Sequence, residues 1–76
     1  MLDQAEVLEL ELSADSPLVG RPIREIASEV DADFVVGAVT RARDYITPRG
    51  DTTLEAGDHL VVFVETPFVD ELLSMA

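Results

Sequence analysis

The chain has 76 residues, and 16 acidic against five basic side chains give it a formal charge of −11 at pH 7. Nucleic-acid backbones and anionic membrane surfaces are bound by basic faces, so this balance argues against both as partners. Cysteine is absent, which excludes disulfides, thiolate metal sites and cysteine nucleophiles. The apolar runs are far shorter than the roughly 20 residues that span a bilayer, so we expect one small domain without direct membrane insertion.

The core of such a short chain must be stabilised without covalent cross-links. Hydrophobic residues make up 47% of the sequence, which is enough for one core. Domains of this size are nevertheless marginally stable, and association of two copies is a common way to bury more apolar surface. We therefore expect a homodimer.

The basic residues are all arginine, and lysine does not occur. A large acid excess is tolerated best in molar salt, where the screening length falls to about 3 Å and carboxylates repel one another less. The composition therefore predicts an acidic protein adapted to concentrated salt, that is, a halophilic one.

The first half of the chain contains a strand and a helix. Alternation of apolar and polar residues over 6–13 predicts a half-buried strand whose inner face carries leucines at 8, 10 and 12. After Gly20 the apolar spacing changes to that of a short helix, and Pro22 suits its first turn. The apolar positions of this helix are Ile23, Ile26, Ala27 and Val30.

Three strands and a second helix are predicted to follow. Residues 34–40 form an apolar, β-branched run typical of a central strand, and residues 45–47 pair with it as a hairpin that ends at Pro48. Residues 59–65 read as a buried strand. Thr66 is the expected N-cap of the last helix, with Pro67 in its first turn. Its apolar side comprises Phe68, Val69, Leu72, Leu73 and Met75.

The element order β-α-β-β-β-α predicts an α+β fold of two layers. We expect a mostly antiparallel four-stranded sheet with both helices on one face. Strands 2, 3 and 4 would form a meander, and the first helix would cross over from strand 1.

Catalytic motifs are not evident. The single histidine, His59, begins an apolar strand without a recognisable Ser–His–acid arrangement, so a structural role is favoured. The spacing of the glycines matches neither the dinucleotide-binding fingerprint nor the P-loop. Gly50 and Gly57 are predicted to be turn residues with positive φ. We expect no enzymatic activity; a hydrolase would require two carboxylates converging in a cleft, which the sequence cannot show.

Two acidic pairs have the oxygen ligands that Ca²⁺ or Mg²⁺ prefers, Glu9 with Glu11 and Asp31 with Asp33. Neither has the spacing of a calcium-binding loop, and many carboxylates in a short chain make such pairs common by composition. A solvated acidic face is favoured over a metal site.

Three of the five arginines lie close together in the sequence, at Arg41, Arg43 and Arg49. Such a positive island in an acidic chain can bind a partner's carboxylate or the phosphate of a small ligand. The alternative is pairing within the chain, with Asp44 and Asp51 as the nearest carboxylates.

The segment 48–62, PRGDTTLEAGDHLVV, resembles the signature of the TrkA-C family, the C-terminal lobe of RCK (regulator of potassium conductance) assemblies. Residues 16–26, SPLVGRPIREI, are similar to the helix entry of this family, and residues 36–41, VGAVTR, to its strand ending in arginine. The similarity extends over about residues 6–74. Within the signature, the glycine–aspartate pairs at 50–51 and 57–58 are predicted structural turns: Gly50, Asp51, Gly57 and Asp58.

The resemblance implies a regulatory domain of a potassium or other cation channel or transporter, on the cytoplasmic side of the membrane. It implies a homodimer beside a Rossmann-type lobe and a small effector such as cyclic di-AMP, another nucleotide or a divalent cation. The implied ligand-binding residues are Pro22, Ile23, Asp31, Asp33, Phe34 and Val35. No other cofactor is expected. The alternative is a purely structural dimerisation module, attached to a transporter, that binds no effector.

The domain is expected to occupy residues 6–76. Because the chain begins almost directly at its first strand, we expect it to be a piece excised from a longer protein rather than a stand-alone subunit.

Overall fold

The computed structural model describes residues 4–30 and 34–76. The strands are β1 (Ala5–Glu11), β2 (Phe34–Arg41), β3 (Asp44–Ile46) and β4 (His59–Glu65). Helix α1 (Ile23–Glu29) follows β1, and a 3₁₀ turn (Thr66–Phe68) leads from β4 into helix α2 (Val69–Met75). The α+β class and the order of elements agree with the sequence prediction.

The sheet has the strand order β1-β4-β2-β3, and all three pairings are antiparallel. The predicted hairpin of β2 and β3 is present. The predicted meander of strands 2, 3 and 4 is wrong, because β4 pairs with β1 and β2 rather than with β3. Alternate side chains of β4 are buried, and this strand lies in the middle of the sheet, between β1 and β2. Segment 47–58 connects the edge strand β3 to this central position.

The core lies between the inner face of the sheet and the two helices. Ile26 is the buried residue of α1 and Leu72 that of α2, and both pack in one cluster with the sheet. Leu73, which was predicted on the apolar side of α2, is 49% exposed. The other buried hydrophobic members of the cluster are Leu10, Leu12, Leu18, Val39, Leu54, Leu60, Val62 and Val64.

The start of the last helix differs from its prediction. Thr66 begins the 3₁₀ turn, and no side chain caps that turn or α2. The backbone N–H of Thr66 donates to the carbonyl of Gln4 at 2.7 Å, which extends the contact of β1 with β4 by one residue. Thr66 therefore belongs to the end of the sheet ladder, and Pro67 follows within the 3₁₀ turn.

A β-bulge at Gly37 interrupts the pairing of β2 with β4, since Val36 faces Val62 whereas Ala38 faces Val61. The ring of Phe63 lies against this glycine: a Cβ atom at position 37 would be 2.6 Å from the Phe63 Cε2 atom. The absence of a side chain at Gly37 thus lets the Phe63 ring cover β2 on the outer face of the sheet.

Candidate functional site

A cleft of about 230 Å³ lies between α1, the N-terminal half of β2 and the loop that follows β3. We call it the α1–β2 cleft. Its walls are mostly apolar, with one guanidinium. The lining residues are Ile23, Ala27, Phe34, Val35, Val36, Pro48, Arg49 and Gly50.

The loop wall of the cleft is bound to the start of α1 by backbone hydrogen bonds. The N–H groups of Ile23 and Arg24 donate to the carbonyls of Thr52 and Gly50, each at 2.9 Å. These two N–H groups belong to the first turn of α1, which has no intrahelical acceptor for them. The Thr52 hydroxyl accepts from the N–H of Arg49 at 2.9 Å and donates to the carbonyl of Thr47 at 3.1 Å. The helix and the loop therefore form one unit.

The strand wall of the cleft is a half-open sheet edge. Strand β3 pairs only with Val39, Thr40 and Arg41, so among the described strands residues 34–38 have a neighbour on the β4 side alone. In an antiparallel strand, successive backbone groups point alternately to the two sides. Backbone donors and acceptors of alternate residues within 34–38 thus point away from β4, toward the side of the cleft, where a ligand can pair with them.

One arginine lines the cleft and two more lie near it in the sequence or on α1. Arg21 pairs with Glu25 and Glu29 along the helix. Arg24, Arg43 and Arg49 have no ion pair with any residue in the described ranges 4–30 and 34–76. Arg49 lines the cleft, and the Cβ of Arg24 would lie 3.4 Å from a Cβ at Gly50. Arg49 therefore belongs to the cleft wall, whereas Arg24 lies beside Gly50 of the same loop.

The predicted ligand-binding residues are only partly covered by the structure. Ile23, Phe34 and Val35 line the cleft, and Pro22 is the N-cap residue of α1 next to it. Asp31 and Asp33 lie outside the described residues. Sequence reasoning missed Pro48 and Ala27 as wall residues, although the helical spacing had already placed Ala27 beside Ile23 on α1.

Arg41 was grouped with Arg43 and Arg49 as an anion or partner contact, and the structure corrects this grouping. Its Nε and Nη2 donate to Oδ1 and Oδ2 of Asp58, both at 2.9 Å. Nη2 also donates to the carbonyl of Thr53 at 2.9 Å, and Nη1 lies 3.0 Å from Oε2 of Glu55. Arg41 is thus paired within the domain, although its side chain remains partly exposed. The nearby carboxylates Asp44 and Asp51 are not its partners, because Asp58 is presented directly by the turn before β4.

Asp58 is fully buried and anchors that turn. Its Oδ2 also accepts the backbone N–H of Glu55 at 2.9 Å. The hydrogen bonds from Arg41 lower the pKa of the Asp58 carboxyl, burial opposes them, and the Glu55 N–H lowers the pKa further. The same contact raises the pKa of Arg41. Arg41 and Asp58 are therefore both charged, and their ion pair stabilises the fold.

The two glycines of the signature turns, Gly50 and Gly57, differ in backbone conformation. Gly57 has φ +85°, as predicted for a turn residue, and no atom would meet its Cβ within 4 Å. Gly50 was predicted to have positive φ and does not; its carbonyl instead accepts the N–H of Arg24, close to α1. Asp51 is an exposed residue of the same turn.

Metal-binding clusters of three or more His, Asp or Glu side chains do not occur among residues 4–30 and 34–76. Glu9 and Glu11 lie on the outer face of β1, where Oε1 of Glu11 is 3.6 Å from Nε2 of the exposed His59. Within the described part of the chain, no helix is long and apolar enough to cross a membrane.

Comparison with known proteins agrees with this architecture. A Trk system potassium uptake protein TrkA from Azorhizobium caulinodans is 42% identical over 64 residues, which are 83% of this chain and 14% of that protein. A TrkA homolog from Archaeoglobus fulgidus is 34% identical over 55 residues, 72% of this chain and 12% of that protein. The chain therefore spans about a seventh of these relatives.

A solved structure described as "Structure of RCK domain with cda" superposes with a TM-score of 0.72 at 25% identity, covering 91% of this chain and 94% of that one. The family model of the TrkA-C domain matches residues 7–75. The chain belongs to the TrkA-C domain family.

Proposed function

We propose that this domain is the effector-sensing, dimer-forming module of a potassium uptake assembly on the cytoplasmic side of the membrane. The observation that carries the proposal is the α1–β2 cleft, in which an apolar slot, an open backbone edge and Arg49, which has no ion pair in the described structure, come together. The TrkA relatives, named as potassium uptake proteins, support the transport context. A homodimer is supported by the small size of the core.

The cleft suits a ligand with a planar apolar part and an anionic part. Phe34, Val35 and Pro48 offer apolar contact to a flat ring, and the backbone of β2 offers hydrogen bonds to ring nitrogens. Arg49 can bind a phosphate through two parallel N–H bonds. A nucleotide combines these features, and the superposed RCK domain, which is described "with cda", supports the proposal that this domain also holds a ligand.

Regulation follows from differential affinity. A ligand changes the state of an assembly only when it binds one arrangement of the subunits more tightly than another. Because the cleft joins α1 to the edge of β2, a ligand held there would fix the helix relative to the strand. In a dimer, that restraint would be transmitted to the transporter.

Calorimetric titration with cyclic di-AMP, ATP, Ca²⁺ and Mg²⁺, each added alone, tests the sensing function. We expect a nucleotide to bind, and we expect Arg49→Gln to weaken it about tenfold by removing a charge-assisted contact. Arg43→Gln is the matched control, since Arg43 also lacks an ion pair in the described structure but lies in the β2–β3 turn away from the cleft. Absence of heat and thermal shift with every ligand would favour the purely structural dimerisation module.

A second pair of variants tests the location. Ala27→Leu places a larger side chain in the cleft and should abolish nucleotide binding. Ser28→Leu makes a similar change on the next residue of α1, which does not line the cleft, and should leave binding intact. Equal effects of both variants would place the ligand elsewhere.

Dimerisation and transport are tested separately. Sedimentation in high salt should give a dimer at micromolar concentration; a monomer of 8.3 kDa would contradict the proposal.

In the native host, Arg49→Gln should change the effector response of rubidium uptake, with Arg43→Gln again as the control. Unchanged uptake in both variants would separate this domain from transport.

A further inference from the structure

The last residue of helix α2 and the residue after it are held by two serines from the loop that follows β1. The N–H and the Oγ of Ser13 both donate to the carbonyl of Ala76, each at 3.1 Å. The Oγ of Ser16 donates to the carbonyl of Met75 at 2.5 Å. Carbonyls at the end of a helix have no donor within the helix, so these bonds come from outside it. We call Ser13 and Ser16 the serine clasp.

The serine clasp is fixed to the body of the domain. Leu12, which precedes it, exchanges two backbone hydrogen bonds with the turn before β4. Its N–H donates to the carbonyl of Asp58 at 3.0 Å, and its carbonyl accepts the N–H of Gly57 at 2.8 Å. Ser16 is buried, and its hydroxyl also accepts the N–H of Leu18 at 3.1 Å. The clasp can therefore keep its place when α2 is released.

Helix α2 has few other anchors. Within residues 4–30 and 34–76, the hydrogen bonds that join residues 69–76 to the domain beyond the 3₁₀ turn all come from the serine clasp. Leu72 is the buried side chain of α2, whereas Leu73 is half exposed. No basic residue in the last turn offsets the helix dipole. Because seven residues are too few for a helix to persist alone in water, α2 depends on being docked.

The start of α2 provides a point about which the helix can turn away. Thr66 is held in the sheet ladder by the bond from its N–H to the carbonyl of Gln4. Phe68, between the 3₁₀ turn and α2, has φ −99° and ψ 0°. These angles lie in the sparsely populated region between the helical and extended conformations. A change of backbone angles at Phe68 can therefore redirect α2 without disturbing β4.

We propose that α2 is a latch, which undocks and unfolds as one unit while the sheet stays folded, and that Ser16 sets how often it opens. Local opening of this kind is expected where few buried contacts hold an element. In the closed form, Leu72 borders the core beside Leu18, Leu60 and Val62. In the open form, these apolar side chains reach solvent. The latch uses residues that do not line the α1–β2 cleft and is distinct from the sensing function proposed for it.

Thiol labelling tests the opening, and the absence of cysteine from the chain makes one introduced thiol a specific reporter. Leu72→Cys places the thiol under α2, and Val39→Cys places it at a fully buried site in β2. A buried thiol reacts only when its surroundings open. We expect Leu72→Cys to react at least about tenfold faster than Val39→Cys. Dilute urea should change the Leu72→Cys rate little and raise the Val39→Cys rate steeply, because global unfolding exposes far more surface.

The role of the serine clasp is tested in the Leu72→Cys background. Ser16→Ala should accelerate labelling about tenfold, because its hydroxyl makes two hydrogen bonds. Ser74→Ala is the matched control, since the Ser74 hydroxyl donates to the carbonyl of Glu71 at 2.7 Å within α2 and does not touch the clasp. It should leave the rate unchanged or lower it, because alanine favours helix. Ser13→Ala should accelerate labelling less than Ser16→Ala, since the backbone N–H of Ser13 still binds Ala76.

Amide hydrogen exchange of the unmodified chain gives a second measurement that needs no cysteine. The amide groups in the second turn of α2 should share one opening free energy, lower than that of the amides in β4. Protection that instead declines step by step along α2 would mean fraying from its end and would overturn the single unit.

Two further outcomes would overturn the proposal. Equal labelling rates and equal urea dependence in Leu72→Cys and Val39→Cys would mean that α2 opens only with the whole domain. An effect of Ser16→Ala no larger than that of Ser74→Ala would remove the serine clasp as the control of opening. None of these measurements involves a nucleotide, so the sensing function stands or fails on its own titration.

Discussion

The guanidinium of Arg41 binds both carboxylate oxygens of Asp58, at 2.9 Å each, and thereby joins the end of β2 to the turn before β4. The carboxylate is completely buried, whereas the arginine remains partly exposed. Two parallel hydrogen bonds between ions are short, strong and geometrically specific. Through Thr53 and Glu55, the same guanidinium also holds the loop between β3 and β4.

Removing Arg41 should strongly destabilise the domain. In Arg41→Leu the buried carboxylate of Asp58 loses its counter-ion, and we expect the free energy of unfolding to fall by about 3 kcal/mol. Urea unfolding measures this. Arg21→Leu is the control, because Arg21 pairs with exposed glutamates of α1 and should cost less than about 1 kcal/mol. Equal costs would contradict the structural role of the Arg41–Asp58 pair.

Acid should weaken the fold partly through Asp58. The pKa of its carboxyl is lower in the folded protein, chiefly because of the hydrogen bonds from Arg41. Its contribution to stability is therefore present above the unfolded pKa of about 4 and is lost as the pH falls through the lower folded value. Melting temperatures measured between pH 6 and pH 2 should fall less steeply in Asp58→Asn than in the parent. Parallel curves would contradict this assignment.

Gly37 and Phe63 should behave as a coupled pair. Gly37→Ala places a Cβ atom 2.6 Å from the Phe63 ring, and displacing the ring or the bulge should cost about 1–3 kcal/mol of unfolding free energy. In the Phe63→Ala background, the same Gly37→Ala change should cost much less. A double-mutant cycle by urea unfolding gives the coupling energy, and additive costs would refute the contact.

Substitutions at Gly57 and Gly50 compare the cost of a strained backbone angle with the cost of adding a side chain without such strain. In Gly57→Ala a residue with a side chain must adopt φ +85°, where its Cβ meets no other atom. Backbone strain alone should therefore lower the free energy of unfolding by about 1–2 kcal/mol. Gly57→Val should also lower it, by more than about 1 kcal/mol. Gly50→Ala, without positive φ, should cost less than Gly57→Ala. Thermal melts of the three variants measure this order, and a melting temperature unchanged in Gly57→Val would contradict the turn.

Salt should stabilise the domain because the net charge is −11. Raising KCl from 0.1 M to 2 M screens the repulsion among carboxylates, and a gain of about 2 kcal/mol would raise the melting temperature by roughly 10 °C. A variant with Glu6→Gln, Glu9→Gln and Asp15→Asn, which removes three exposed negative charges, should respond less. A melting temperature indifferent to KCl would contradict the halophilic interpretation.

Local patterns in the sequence predicted the elements well. The bounds of β4 were predicted as 59–65, because a short apolar run rich in β-branched residues between turn residues favours a buried strand. The strand order was not predictable in the same way, since pairing depends on which strands share the core. Thr66 looked like a helix cap, but its N–H is used by Gln4 in the sheet.

The site was predictable only in part. Ile23 and Val35 were reached through the family resemblance, whereas Pro48 joins them only after the chain folds back along α1. The partner of Arg41 was hidden for a similar reason. Sequence distance favoured Asp44 or Asp51, but Asp58 is the carboxylate that the turn at Gly57 directs inward.

The central position of β4 also governs how the domain can assemble. In the described sheet β1 pairs only with β4, whose paired residues lie 48 to 60 positions later in the chain, and β2 pairs with β4 along most of its length. Pairings that distant in sequence form slowly, because a long loop must close first. During synthesis, the N-terminal strand therefore leaves the ribosome without its partner, and the sheet can close only once residues 59–65 have emerged.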